Sequence, residues 1–280
     1  MEIWQNRKTG KGGTRMPLFD EITSRKNPRI LLASSLSDKK RRDESGLFAF
    51  EGEKLLEEAL SCDVALDAVY ATEKAFACSL PLLEEAVSHG ASLFRVTSEV
   101  YDKLTFEKAP QGVFTVAKKF ALPELDGNAG GFVVLESVRD PGNVGAILRT
   151  SAALGCENVL LTKDCADVFH YKTLRAAMGA VFRTRLYVTA DIGKSLALLA
   201  KHGAVYATAL TESALPISQV AFSPEDSLVI GNEGHGVSDT VLQNCTEAVM
   251  IPMQGGSESL NASVAAALFI WEKQKSRISF

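Results

Sequence analysis

Short apolar runs alternate along most of the chain with segments in which apolar residues recur every three or four positions. Before residue 119, the short runs predict strands and the periodic segments predict amphipathic helices, because these are the spacings of a pleated and of a helical face. The predicted strands are residues 47–50, 65–71, 93–96 and 113–117, and the predicted helices are residues 53–61, 81–89 and 98–104.

The pattern becomes cleaner after residue 130, where the short runs are almost uniformly apolar. Such runs are typical of parallel strands buried on both faces, and the helical segments between them would supply the crossover connections. The predicted strands are residues 132–135, 158–161, 204–208, 228–230 and 248–251, and the predicted helices are residues 144–154, 195–202, 239–244 and 263–275. We therefore predict a doubly wound α/β domain in the second half.

The chain divides into four segments on this basis. Residues 6–15 are rich in Gly and Lys, and residues 1–18 are expected to form a disordered tail, in which Met16 is an alternative start. Residues 19–118 form the smaller α/β domain, and residues 119–130 have the Pro and Gly content of a linker. Residues 131–280 form the larger domain.

Total charge indicates no particular partner, because the net charge is −4 over 280 residues. Between residues 25 and 42, however, the chain contains a group of basic residues and a single acidic residue, Asp38. Such a group can bind nucleic acid whatever the total charge, although a solvated helical face has the same composition. This basic cluster consists of Arg25, Lys26, Arg29, Lys39, Lys40, Arg41 and Arg42.

The composition also excludes several classes of protein. The five cysteines are scattered and form no C-x-x-C pair, which argues against a disulfide framework and a zinc site and favours a reducing cytoplasm. No apolar run approaches the ~20 residues that span a bilayer, and the amino terminus lacks the apolar segment of a secretory signal. We therefore expect a cytoplasmic protein without a membrane segment and without a metal.

Three segments rich in Gly, Asn and Ser each begin where a predicted strand of the second half ends. They are residues 136–149, 230–236 and 251–263. In an open α/β sheet, the loops at the carboxyl ends of the strands are where ligands bind. The three segments therefore predict one site that is assembled from distant parts of the chain.

The first segment leads from a strand into a helix that we predict to begin near Asn143. The Asn143 side chain is expected to cap this helix, and Gly145 would allow another backbone to approach closely. Arg149 follows Gly145 by four residues and therefore lies on the same side of the helix. A capped helix with a surface arginine explains this segment without any function.

The second segment places Glu233 and His235 among glycines, which predicts either positive φ angles or a ligand that lies against bare backbone. A tight turn between a strand and a helix is the alternative. Glu233 could orient a polar ligand. His235 by itself is weak evidence for a general base, because no carboxylate partner is fixed by spacing.

The third segment combines one apolar side chain, Leu260, with several hydroxyl and amide groups. The polar residues are Ser257, Ser259, Asn261 and Ser263. The chain has no G-x-G-x-x-G after the first strand of its second half and no G-x-x-x-x-G-K-[ST]. A standard dinucleotide site and a P-loop are therefore not supported.

Taken together and in this order, the three segments resemble the motifs of the SpoU-type, or TrmH-like, RNA 2′-O-ribose methyltransferases. Residues 172–182 are also similar to that family. Residues 22–29 and 46–53 resemble the ribosomal-protein-like RNA-binding module that precedes many of these enzymes, so the resemblance covers about residues 20–275. The matching motif residues are Asn143, Gly145, Arg149, Gly231, Asn232, Glu233, Gly236, Ile251, Met253, Ser259, Leu260, Asn261 and Ser263.

The resemblance implies an α/β fold in which the C-terminal parallel-sheet domain contains a deep trefoil knot. A smaller α/β ribosomal-protein-like RNA-binding domain would precede it. The knot would bring the second and third motifs together as a pocket for S-adenosylmethionine. The residues expected to bind this cofactor are Gly231, Asn232, Gly236, Ile251, Met253 and Leu260. Family members are homodimers whose C-terminal helices meet, and the small residues at 262–267 would suit close packing there.

The resemblance also implies that Arg149 is catalytic. It would act either as the base that takes the ribose proton or as the group that stabilises negative charge and binds phosphate. An arginine is a poor base because the guanidinium stays protonated far above neutral pH, whereas its bidentate geometry suits the second role. Asn143, Glu233, Ser259 and Asn261 would orient Arg149 and the ribose.

The implied function is S-adenosylmethionine-dependent methylation of a ribose 2′-hydroxyl in structured RNA, with ribosomal RNA as the expected substrate. The basic cluster would bind RNA phosphates in a salt-sensitive manner. The alternatives are a tRNA 2′-O-methyltransferase and a non-catalytic RNA-binding protein of ribosome assembly. The presence of Asn143, Arg149, Glu233 and Asn261 argues against the non-catalytic alternative.

Overall fold

The computed structural model describes residues 19–127, 130–254 and 259–278 of the chain. The chain forms two units, divided between Lys119 and Phe120. The predicted tail at residues 1–18 lies outside the described residues, and so does Ser257 of the third motif.

The first unit contains one mixed sheet with helices packed against it. Its strands are β1 (Asp20–Ile22), β2 (Leu47–Glu51), β3 (Leu66–Thr72), β4 (Ser92–Val96) and β5 (Val113–Lys118). Its helices are α1 (Pro28–Ser35), α2 (Lys39–Ser45), α3 (Glu53–Ser61), α4 (Glu73–Cys78), α5 (Leu80–Ser88) and α6 (Ser98–Leu104). The strand order is β1-β4-β3-β5-β2, in which β5 runs antiparallel to both of its neighbours.

The second unit contains a larger sheet. Its strands are β6 (Val133–Leu135), β7 (Asn158–Thr162), β8 (Arg185–Thr189), β9 (Val205–Thr208), β10 (Leu215–Pro216), β11 (Ser227–Ile230) and β12 (Glu247–Met250). Its α-helices are α7 (Pro141–Ala153), α8 (Tyr171–Ala177), α9 (Ala180–Arg183), α10 (Ile192–Leu199), α11 (Asp239–Asn244) and α12 (Ala262–Gln274). A 3₁₀ turn covers Ile217–Gln219.

The order of this second sheet is β10-β12-β9-β11-β6-β7-β8, and each pair of neighbours is parallel. The central strands β6 and β11 are buried along their whole length, as their uniformly apolar sequences predict. Because the strands run in one direction, the segments that follow β6, β11 and β12 begin at the same edge. The predicted α/β class with a parallel sheet is therefore confirmed.

The sequence pattern does not predict the two edge strands, β8 and β10. In β8, Arg185 is exposed and Tyr187 is half-buried, so its residues are not the uniformly apolar run that marks a central strand. β10 has only two residues, Leu215 and Pro216. Edge strands are covered on fewer sides, and their sequences therefore carry a weaker hydrophobic signal.

The C-terminal helix α12 packs against α7 and β11. Ala262 and Ala266 are already buried within the single chain, at 8% and 0% exposure. The expectation that residues 262–267 face a second subunit is therefore wrong for these two alanines. The trefoil knot stays a prediction.

Within the described ranges, no helix is both long and apolar enough to cross a membrane. In the same part of the chain, no three side chains of His, Cys, Asp or Glu come close enough together to hold a metal ion.

Candidate active site

Helix α7 begins three residues before the predicted start, and this changes the role of Asn143. Pro141 occupies the first turn, where its missing N–H costs nothing. The Asp140 side chain caps the helix by accepting a hydrogen bond from the backbone N–H of Asn143 at 2.8 Å. The prediction that the Asn143 side chain caps this helix is therefore wrong. That side chain is buried and has other partners.

Hydrogen bonds through Asn143 join the three motifs. Asn143 Nδ2 donates to Glu233 Oε1 at 2.8 Å, and Asn143 Oδ1 accepts from Asn261 Nδ2 at 3.0 Å. Asn261 Oδ1 in turn accepts from the backbone N–H groups of Ser263 and Val264, in the first turn of α12. We refer to Glu233, Asn143 and Asn261 as the amide bridge.

The charge state of Glu233 determines which atom of the Asn143 amide faces each neighbour. Burial raises the pKa of this carboxyl. Hydrogen bonds from the Asn143 side chain and from backbone N–H groups, among them those of Arg139 and Asp140, lower the pKa by more than burial raises it. The net pKa lies below the ordinary value, so Glu233 is an ionised carboxylate that only accepts hydrogen bonds. The nitrogen of Asn143 must therefore point towards Glu233 and its oxygen towards Asn261.

The loop between β6 and α7 is held from two sides through Ser137. This residue has a φ of 55°, a left-handed conformation that is uncommon outside glycine. Its backbone oxygen accepts from Asn232 Nδ2 at 2.7 Å, and its hydroxyl donates to Asp164 Oδ2 at 2.6 Å. The hydroxyls of Ser137 and Thr162 lower the pKa of Asp164. The first motif is therefore fixed against the second motif and against the end of β7.

A tight turn explains the glycines of the second motif. Gly236 has a φ of 67°, and Asn232 and Gly236 exchange two backbone hydrogen bonds of 2.9 Å. A Cβ on Gly231 would lie 2.3 Å from the carbonyl carbon of Gly236. Only glycine fits at position 231, because the turn folds directly onto it.

A cavity of about 520 Å³ opens at the carboxyl edge of the second sheet. Val249 and Phe269 are buried and form part of its apolar floor. The predicted site residues that line this cavity are Gly231, Asn232, Glu233, Gly236, Ile251, Met253, Ser259 and Leu260. The second and third motifs are therefore brought together, and Asn143 and Asn261 support them through the amide bridge.

One wall of this cavity is not predicted from the sequence, and it is formed by residues 208–211, at the end of β9 and directly after it. The predicted strand at 204–208 ends at the same edge as the motifs, and this was the available signal. The loop lacks the Gly and Asn residues that mark the other three. Within it, the Thr211 Oγ1 atom is buried and has no hydrogen-bond partner in the described part of the chain. His235 also lines the cavity.

Arg149 is exposed on α7 and is not among the described residues that line the cavity. It lies on the same side of α7 as Gly145, where helix α8 approaches. A Cβ on Gly145 would lie 2.5 Å from the backbone oxygen of Thr173 and 2.6 Å from the Cβ of Ala176. The close backbone approach expected at Gly145 is therefore that of α8.

In the first unit, Arg42 binds the turn between α1 and α2. It is 1% exposed, and its guanidinium donates to the backbone oxygens of Leu36 and Ser37 at 2.8 and 2.9 Å. The prediction that Arg42 binds RNA is therefore wrong, because these contacts bury the side chain beneath the surface.

The other members of the basic cluster are exposed. Lys39 pairs with Asp43 at 2.6 Å, and Arg41 pairs with Glu44 at 3.1 Å, so part of their charge is balanced within α2. The exposed members are Arg25, Lys26, Arg29, Lys39, Lys40 and Arg41.

Comparison with known proteins places this architecture in a family. The SpoU rRNA Methylase family matches residues 131–271, and the MRM3-like substrate binding domain matches residues 19–115. The 23S rRNA (guanosine(2553)-2′-O)-methyltransferase RlmP of Bacillus subtilis is 30% identical over 253 residues, which cover 90% of this chain and 98% of RlmP. The 23S rRNA (guanosine-2′-O-)-methyltransferase RlmB of Acinetobacter baylyi is 29% identical over 207 residues, which cover 70% of this chain and 84% of RlmB.

Among solved structures, the AdoMet-bound rRNA methyltransferase from Sinorhizobium meliloti is similar with a TM-score of 0.83 and 27% sequence identity. The similarity covers 93% of this chain and 99% of that protein. The matched residues 131–271 span half of the chain and contain the three motifs. The resemblance drawn from those motifs is thereby confirmed, and the chain belongs to the SpoU rRNA methylase family.

Proposed function

We propose that this protein transfers a methyl group from S-adenosylmethionine to a ribose 2′-hydroxyl of ribosomal RNA. The observation that carries the proposal is the cavity that distant motifs build at the carboxyl edge of a parallel sheet, with the amide bridge beside it. The names of the relatives RlmP and RlmB, both 23S rRNA 2′-O-methyltransferases, support this choice of reaction and substrate. With ribosomal RNA as substrate, the expected location is the cytoplasm.

The cavity fits S-adenosylmethionine in size and in chemistry. Its volume lies in the range of roughly 300–1,000 Å³ that holds cofactors, and most of its lining is apolar. Ile251, Met253 and Leu260 offer apolar contacts, and Gly231 and Gly236 offer backbone groups. The unpartnered hydroxyl of Thr211 is a polar group that a ligand can satisfy after a side-chain rotation.

The residues around the cavity would position the reacting groups. S-adenosylmethionine supplies a methyl group on a positively charged sulfur, and the ribose oxygen must approach it in line with the sulfur. The amide bridge holds the second and third motifs in a fixed relation, and Ser259 lies on the wall beside it. Arg149 would bind phosphate and stabilise developing negative charge, because its guanidinium stays protonated.

The first unit would bind the RNA. The match to a substrate binding domain over residues 19–115 supports this role. The exposed members of the basic cluster can neutralise phosphates, which gives an affinity that falls with salt and depends little on sequence.

The protein would act as a homodimer through α12. Val264, Leu268 and Trp271 are 49%, 44% and 44% exposed, and their spacing of four and three residues places them on one face of the helix. An exposed apolar stripe of this kind favours burial against a second copy. In this arrangement the side of α12 that carries Ala262 and Ala266 packs inward, and the opposite side meets the partner.

Methyl transfer from labelled S-adenosylmethionine to unmodified rRNA and tRNA transcripts tests this function, with the modified ribose then mapped. We expect one site in rRNA, and we expect Arg149→Ala to abolish turnover while leaving cofactor affinity within about twofold. Label in tRNA alone would overturn the substrate, and cofactor binding without label in either RNA would overturn the activity. A loss of cofactor binding in Arg149→Ala would contradict the role assigned to Arg149.

A further inference from the structure

His235 lies on the wall of the cavity in the tight turn of the second motif. The Asn232 side chain stabilises this turn, since its Oδ1 accepts from the backbone N–H groups of Gly234 and His235 at 2.9 and 3.3 Å. The His235 side chain is exposed, and its ring makes no hydrogen bond with the described residues. An imidazole is thus presented at the cavity on a fixed backbone.

Of the described residues that line the cavity, only Glu233 and His235 carry groups that ionise. Glu233 is occupied by Asn143 and by backbone N–H groups, and these contacts lower its pKa, which makes the carboxylate a weak base. The loop beside it contributes Arg139 and Asp140, whose backbone N–H groups face Glu233. The imidazole is therefore the one basic group on this wall whose ring nitrogens are open to a ligand in the cavity.

The location of His235 also matches the place where the ribose must arrive. The cavity opens to solvent, and a nucleotide of folded RNA would reach the cofactor from that open side, at the mouth. Exposed lining residues, which include His235 and Leu260, form this mouth, whereas the floor is buried. His235 is therefore on the side from which the 2′-hydroxyl approaches.

We propose that His235 accepts the proton of the ribose 2′-hydroxyl during methyl transfer, an inference that rests on the proposed function. The 2′-oxygen forms a bond to the methyl carbon while the bond from carbon to sulfur breaks, and its electron pair goes to the sulfur. The hydroxyl proton goes to a ring nitrogen of His235. The positive charge lost by the sulfur is thus balanced by the imidazolium that forms, and Arg149 is left to bind phosphate.

A titration of the His235 ring tests, without any turnover, whether the ring lies close to the sulfur of the bound cofactor. Protein with ¹³C-labelled histidine shows four ring signals, and His235→Gln identifies the one that belongs to His235. We expect a lower titration midpoint with S-adenosylmethionine than with S-adenosylhomocysteine, by about one pH unit, because only the former places a positive charge nearby. Equal midpoints with both ligands would overturn the proposal.

Single-turnover rates between pH 5 and 8.5 test the proton transfer itself. We expect the wild-type rate to rise through the titration of the imidazole and then level off. His235→Gln should bind S-adenosylmethionine normally, lose about 10²-fold in rate and lose this rise, and added imidazole should partly restore the rate of His235→Ala. His89→Gln, in the first unit, is the matched control and should behave as wild type.

The two levels of the proposal fail in different ways. A His235→Gln variant with the wild-type rate and pH profile would overturn the role of His235 and leave the proposed function standing. A wild-type protein that transfers no methyl group to rRNA or tRNA would overturn the proposed function and this role with it.

Discussion

At the scale of single residues, Asn143 is the side chain on which the site depends most. It is 8% exposed and satisfies an acceptor on one side and a donor on the other. Glu233 and Asn261 cannot compensate for the loss of this side chain by bonding to each other in the same way. The Glu233 carboxylate only accepts hydrogen bonds, and Asn261 Oδ1 already accepts from the first turn of α12. A substitution at position 143 therefore affects both contacts at once.

Asn143→Asp keeps the shape of this side chain but sets two carboxylates against each other. We expect the free energy of unfolding at pH 7 to fall by about 2 kcal/mol or more, because one hydrogen bond is lost and like charges are added. Like-charge repulsion raises the pKa of the new carboxyl and of Glu233 in the folded variant, so folding binds protons. The loss in the free energy of unfolding therefore shrinks as the pH falls from 7 towards 5. Denaturation in urea across this pH range measures the effect.

Two controls accompany this substitution. Asn143→Ala should lose about 1–3 kcal/mol without such a pH dependence. Asn244→Asp, at an exposed position of α11, should change stability little. An equal loss for Asn143→Asp at pH 5 and at pH 7 would contradict the direction of the amide bridge.

The sequence motifs contain the residues of the amide bridge but do not predict the hydrogen bonds between them. Asn143, Glu233 and Asn261 are separated by 90 and 118 positions, and the choice of partners depends on how three loops meet. The cap of α7 could have been predicted, since Asp140 followed by Pro141 is a strong signal for the start of a helix. Asn143 is itself a good capping residue, and the pattern did not separate the two.

At the scale of secondary-structure elements, the approach of α7 to α8 depends on Gly145. The contact is made by backbone atoms, because a Cβ would lie 2.5 Å from the Thr173 oxygen. The apolar period along α7 predicted the helix. It carried no information about α8, which the sequence pattern did not identify. Gly145 was the one residue that indicated a close neighbour.

Gly145→Ala should separate these helices. We expect a loss of about 1–3 kcal/mol in the free energy of unfolding, because the methyl group has no space to occupy. Gly193→Ala in α10 is the matched control, since its Cβ would meet no atom closer than 3.4 Å. That variant should gain up to about 1 kcal/mol from helix propensity. Thermal unfolding compares the two, and a Gly145→Ala protein as stable as wild type would refute the close contact.

At the scale of the whole molecule, the exposed part of the basic cluster should govern RNA affinity. Changing Lys39, Lys40 and Arg41 to Gln should weaken binding to rRNA and reduce the slope of affinity against salt concentration, because up to three phosphate contacts are lost. The ion pairs of Lys39 and Arg41 within α2 make the expected change smaller than three full contacts. Filter binding at several salt concentrations measures the slope.

Arg42→Gln separates the structural member of the cluster from the others. We expect it to lower the melting temperature of the protein, because two backbone oxygens lose their charged donor. Its effect on the salt slope should be small. A triple variant with the wild-type slope would remove the RNA-binding role from the remaining basic residues.

The apolar stripe on α12 makes a prediction about assembly. Leu268→Glu should convert the proposed dimer into a monomer, because it places a charge in the centre of the stripe of Val264, Leu268 and Trp271. Leu31→Glu is the matched control, since Leu31 is a similarly exposed leucine of the first unit. Light scattering after size-exclusion chromatography gives the mass, and a Leu268→Glu protein that stays dimeric would exclude this face.

The amide bridge also restricts how this sequence can drift over generations. A single replacement at position 143, 233 or 261 leaves a neighbouring donor or acceptor without its partner. A joint replacement of all three by apolar residues removes these donors and acceptors together, so that no group is left without a partner. Effects within one such network are strongly non-additive. Among descendants of a common ancestor, these positions should therefore be inherited as a set, and a lineage that has exchanged all of them will have abandoned the reaction.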